Sequence, residues 1–145
     1  MQRIEIYDTD ELGSSIDLLQ VLPLLEPCRN LRWYLLDLEG SGNLTGGETF
    51  LSLERRVANS DHGVELSWSA LVRLAGEVRQ IINMSLAGCD PESYPPSLPL
   101  HPTPGLKLVI EAVDSTFWAV SAAESTLIEK LANAFHKTQV TTWSA

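Results

Sequence analysis

No stretch of this 145-residue chain approaches the roughly 20 consecutive apolar residues that a membrane-spanning helix needs, so no membrane segment is expected. Basic residues are scarce: 10 Lys and Arg against 19 Asp and Glu leave a formal charge of −9. Such a field repels phosphate backbones, which argues against nucleic acid, and it attracts a basic protein partner. Cysteine is scarce too. Cys28 and Cys89 lie far apart and form no C-x-x-C or Cys/His ligand spacing, so they read as free thiols, with a disulfide left open. Met1 to Asp10 carries Arg3, Glu5, Asp8 and Asp10 and no apolar core, so it is not a signal peptide. Cytoplasmic residence is the expectation. Neither G-x-S-x-G nor H-E-x-x-H occurs, and no cofactor or metal motif is complete.

What is present is an ordinary globular composition, 44% hydrophobic and 20% charged, in a chain long enough for one domain with a real core. Ile4 and Ile6 alternate with Arg3, Glu5 and Tyr7, predicting a short strand with one buried face. Ser14 to Asp17 resembles a capping box ahead of a short helix from Ile16 to Leu25, which Pro23 should end or distort. Leu31 to Leu38 reads as a strand with Trp33 and Leu35 facing one way and Tyr34, Leu36 and Leu38 the other. Apolar residues on both faces imply cover on both sides. Glu39 to Asn43 reads as a turn, and Thr45 as the cap of a helix from Gly46 to Ala58. Val64 to Leu66 is a very short extended piece. Ser67 caps the longest predicted helix, Trp68 to about Leu86, with an apolar stripe of Leu71, Leu74, Ala75, Val78, Ile81 and Ile82.

Prolines crowd residues 88–105, predicting a long connection with polyproline character. Leu106 to Val113 and Phe117 to Ala122 form a hairpin around Asp114-Ser115-Thr116. Ser121 to Glu124 caps a last helix carrying Leu127, Ile128, Leu131 and Phe135, and residues 139–145 read as a frayed tail. The resulting order, β–α–β–α–α–β–β–α, predicts an α+β fold: a mainly antiparallel sheet of about four strands with helices packed on it.

Four patterns invite chemistry. Gly42-x-x-x-x-Gly47-Glu48-Thr49 has phosphate-loop spacing, but Glu48 replaces the lysine and puts a carboxylate where phosphate charge must be offset. Asp8 to Gly13 resembles the opening of a calcium loop, yet Leu12 and Leu19 occupy positions that should supply oxygen ligands. Asp37 and Glu39 share a strand face. With His62 beside Asp61, they are the candidates for a small hydrolytic or metal-dependent enzyme. Pro96 to Pro102 contains overlapping P-x-x-P patterns without a flanking cation, which favours a stiff surface connection.

The segments Leu31 to Gly40, Leu53 to Val57, Gly63 to Trp68 and Asp114 to Trp118 resemble small uncharacterised bacterial proteins, some of them immunity proteins of bacterial toxin systems. The resemblance implies a non-catalytic acidic protein that neutralises a toxin domain by covering its basic active surface. Loop-proximal acids make Asp37, Glu39, Glu48, Asp61 and Glu65 the candidate contacts, with Trp143 as an exposed aromatic anchor. A housekeeping assembly protein, as a homodimer through an exposed sheet edge, is the third reading.

Overall fold

The computed structural model describes residues 1–144. One antiparallel sheet of seven strands runs through the whole molecule, in the order β3-β2-β4-β5-β6-β1-β7. The strands are β1 (Gln2–Ile6), β2 (Arg32–Gly42), β3 (Val64–Leu66), β4 (Val78–Cys89), β5 (Leu106–Val113), β6 (Phe117–Ala122) and β7 (Thr138–Thr142). The α-helices are α1 (Leu18–Val21), α2 (Phe50–Ala58), α3 (Trp68–Glu77) and α4 (Ser125–Ala134), and a 3₁₀ helix, Leu22–Cys28, continues α1. The α+β class and antiparallel pairing agree with the sequence. The strand number and element order do not.

The largest departure is at α3. Ser67 caps it as expected, its hydroxyl accepting from the Ala70 N–H at 3.1 Å. The helix stops at Glu77, and Val78 turns directly into β4. Val78, Ile81 and Ile82 keep helical spacing with Leu71 and Leu74, but β-branched residues also suit a pleated surface. Pairing of Val78 and Ile81 with β2 decides in favour of the strand, and the Ile82 carbonyl accepts from the Ser115 N–H of the turn between β5 and β6.

Residues 39–42 form no turn either. They carry β2 onward, with register shifts where Gly40 and Gly42 sit. A Cβ on Gly40 would collide with the Gln80 backbone of β4, and one on Gly42 with the backbone of Glu77 and Val78 where α3 passes into β4, so glycine permits the close approach of the strands. A further shift between Leu35 and Asp37 reverses the expected facing of Leu38, which joins Trp33 and Leu35 in the main core.

Other boundaries move for local reasons. Asp17 and Gln20 form the capping box of α1, and the 3₁₀ helix takes over at Leu22, where Pro23 occupies an early position that needs no N–H donor. Thr49, not Thr45, caps α2, accepting from Ser52 N–H at 3.1 Å. Thr45 instead donates its hydroxyl to Glu77. Ser121 lies buried within β6, so α4 starts without a side-chain cap. The expected tail becomes β7, paired with β1 in unbroken register; Ala145 lies outside the described residues.

The helices cover one face of the sheet. Ile4, Ile6, Trp33, Leu35, Met84, Leu86, Leu108, Ile110, Trp118 and Val120 meet Phe50, Leu53, Leu71, Ile128 and Leu131 there. Full burial of each such side chain contributes about 1.5–3 kcal/mol. Tyr34, Leu36, Ala87, Cys89, Leu106 and Val109 form a smaller cluster, packed by Met1, Leu100 and Trp143. Leu100 belongs to the proline-rich connection, residues 90–105, which gives that cluster part of its cover. Among the described residues, no helix is long and apolar enough to cross a membrane.

Candidate functional site

The proline-rich connection, the turn before β3 and the middle of β2 meet at one corner of the molecule. Gly63, at φ +71°, lies so close to β2 that a Cβ would strike the Leu35 carbonyl. This approach fixes the Asp61-His62-Gly63 turn. His62 then reaches across to the connection, with its Nδ1 at 3.2 Å from the Pro96 carbonyl oxygen. Asp37 and Glu39 follow on β2, both exposed. Glu39 accepts from the Asn83 amide at 3.3 Å, and Asn83 in turn accepts from the Asp114 N–H, so one carboxylate is held in place.

Beside this corner, Arg32 donates to both carboxylate oxygens of Glu65, at 2.8 and 2.9 Å, and its guanidinium lies 5.6 Å from the Tyr34 ring centroid. Hydrogen bonding to Arg32 holds the Glu65 carboxyl below its usual range, and the same bond pushes the Arg32 guanidinium up. Burial raises the Tyr34 phenol, whose hydroxyl has no hydrogen-bond partner among the described residues. Burial, reinforced by Asp90, pushes the Cys89 thiol up to about 11. Neither cysteine is in a disulfide.

The connection presents two large apolar side chains outward: Tyr94 is 94% exposed and Leu98 51%. Cys89, Ser93, Pro95, Pro99, Leu100 and Leu106 help to line a hollow of about 480 Å³ beneath it. Polar anchors hold its ends. Ser93 donates to the Asp90 carbonyl at 2.8 Å, and Asp90 N–H bonds the Gly105 carbonyl at 2.9 Å.

The six residues expected to contact a partner therefore divide. Asp37 and Asp61 flank the corner, whereas Glu39 lies farther along β2, held by Asn83 beside the β5–β6 turn; among the described residues none of the three forms an ion pair. Glu65 stands nearby but is engaged by Arg32. Glu48 sits at the start of α2, where Arg56 holds both its oxygens at 2.8 and 2.9 Å and, with Ser52, lowers its carboxyl. Trp143 is half-buried against the smaller cluster, with its N–H bonded to the Met1 carbonyl at 2.8 Å, so it is not the exposed anchor expected of it. Tyr94 and Leu98 are not among the contacts expected from the sequence. Their signal was large apolar side chains within a proline-rich run, where no strand or helix could bury them.

His62 makes no hydrogen bond to Asp37 or Glu39, and its Nδ1 faces the Pro96 carbonyl. Among the described residues, no three His, Cys, Asp or Glu side chains are placed to hold a metal. In the calcium-like segment, Asp10 accepts from the N–H groups of Leu12 and Ser14, both at 2.9 Å, closing a local turn. Compared with known proteins, the chain matches no family model, no curated protein and no solved structure.

Proposed function

We propose that the protein is a non-catalytic binding module that engages a basic protein partner at the corner formed by β2, the Asp61-His62-Gly63 turn and the proline-rich connection. The observation that carries this reading is the exposure of Tyr94 and Leu98 on a connection tethered by His62, with the exposed carboxylates of Asp37 and Asp61 flanking it. An aromatic and an aliphatic anchor supply buried contact area once docked. Asp37, Glu39 and Asp61 draw the partner in and set its orientation, raising the association rate more than the final affinity. The net charge of −9 acts in the same direction.

Within this reading the partner is a toxin domain whose basic active surface the module covers, as the resemblance in the β2 and β3 segments implies. The direct test is co-expression with the toxin-like product of a neighbouring gene. Binding and restored growth are expected with the native chain, and loss of both with Tyr94→Ala combined with Asp37→Lys. A native protein that neither binds the toxin nor restores growth removes the proposal.

A further inference from the structure

The two edges of the sheet are treated differently. At one end β3 is only Val64–Leu66, and the Arg32–Glu65 ion pair lies beside it, two devices that discourage strand addition. At the other end β7, Thr-Gln-Val-Thr-Thr, has no charge, no proline and no bulge. The hydrogen bonds to β1 fix which of its backbone groups are free. Met1 and Trp143 exchange N–H and C=O bonds, at 3.3 and 2.8 Å, and Tyr7 N–H bonds the Lys137 carbonyl at 2.8 Å. In an antiparallel ladder the bonded residues alternate, so Gln139 and Thr141 also turn inward. Thr138, Val140 and Thr142 therefore aim their N–H and C=O groups away from the sheet.

We propose that two copies of the chain pair through these edges, β7 against β7, around a two-fold axis at Val140. Antiparallel pairing centred there sets Val140 opposite Val140 and Thr138 opposite Thr142. Every outward N–H of one copy then meets an outward C=O of the other. No other register satisfies all three residues. The side chains agree with it: Val140, 48% exposed in the single chain, gains its own copy as cross-strand neighbour, flanked by Thr–Thr pairs. Lys137 comes opposite Trp143 of the second copy, and no like charges face each other across the strands. For a chain of charge −9, an uncharged edge is where two copies meet with least repulsion. The partner-binding corner lies toward the β3 end, so it stays open in both copies.

Sedimentation and amide exchange test this. The native protein should sediment as a dimer that dissociates on dilution, with Thr138, Val140 and Thr142 amides protected only in the dimer. Val140→Pro removes an outward N–H while leaving every β1–β7 bond intact, and proline is tolerated on such an edge. It should give a folded monomer by circular dichroism. Val140→Lys, which places like charges on the axis, should do the same if the proline variant fails to fold. A native monomer at all concentrations overturns the proposal. So does a dimer unchanged by either folded variant, or protection of those amides that appears only when another protein is added.

Discussion

A single missing Cβ sets the geometry of the corner. Gly63 combines a left-handed φ of +71° with an approach to β2 that leaves no room beyond its α-carbon. Gly63→Ala should cost about 2–4 kcal/mol, the sum of left-handed strain and displaced backbone, read as a lower urea midpoint. The same variant should loosen the His62 contact with Pro96. Cys89 illustrates the opposite case, a reactive atom made inert by its surroundings. Buried, with its thiol pushed up to about 11, it has almost no thiolate at neutral pH. A thiol reagent should label Cys89 only after unfolding, whereas half-buried Cys28 should react slowly in the native protein. Labelling of Cys89 at the rate of a free thiol would contradict the described packing.

At the scale of elements, short polar contacts decide where structure begins. Thr49→Ala should remove about 1 kcal/mol by freeing the Ser52 N–H, measured by denaturant unfolding. Asp8 does comparable work for β7. Its carboxylate accepts from the His136 and Lys137 N–H groups, at 2.7 to 3.1 Å, and bends the chain from α4 into the last strand. Asp8→Ala should speed amide exchange at Gln139 and Thr141 while leaving β4 and β5 protected, since a lost charge-assisted bond of this kind costs about 1–3 kcal/mol and acts locally.

The same scale explains what was legible in the sequence. The β5–β6 hairpin is legible because its signals are local: alternation on each side of Asp114 and Ser115, both at positive φ. Ser67 marked the start of α3 for the same reason. The end of α3 is hidden because Val78, Ile81 and Ile82 satisfy a helical stripe and a strand equally, and only pairing with β2, distant in sequence, resolves the choice. β7 was hidden because an uncharged edge strand needs no apolar alternation. Its β-branched Thr and Val residues were the available clue. The corner was half legible, since acids and turns are local features, while the side chains that dominate its apolar surface lay in a segment without periodicity.

Across the whole molecule, acid should be the main destabiliser. Arg56 lowers Glu48, Arg32 lowers Glu65, and the Thr45 hydroxyl and N–H lower Glu77. For Asp8, burial raises the carboxyl, but the His136 and Lys137 N–H groups and their charges outweigh it. Each folded pKa lies below its unfolded value, so the unfolded chain binds more protons as pH falls. The stabilisation is complete above the ordinary carboxylate range and is lost as pH drops through the folded values. Urea midpoints should hold steady from neutrality to about pH 5 and fall below about pH 4. A flat profile through that acid range would show these contacts contribute nothing. Added salt should change stability little, because the ion pairs are largely exposed.

The position of β1 has a consequence for how the molecule assembles. The earliest strand in the chain lies between β6 and β7, pairing with residues 118–122 on one side and 138–142 on the other. On a ribosome, Ile4 and Ile6 must stay unpaired until β6, far downstream in the sequence, has emerged. Closure of that long loop is an entropic toll deferred until β6 and β7 have been made. During that interval the nascent chain shows an open, apolar strand to its surroundings, and its safe passage depends on the closing hairpin β5–β6 being ready to receive it.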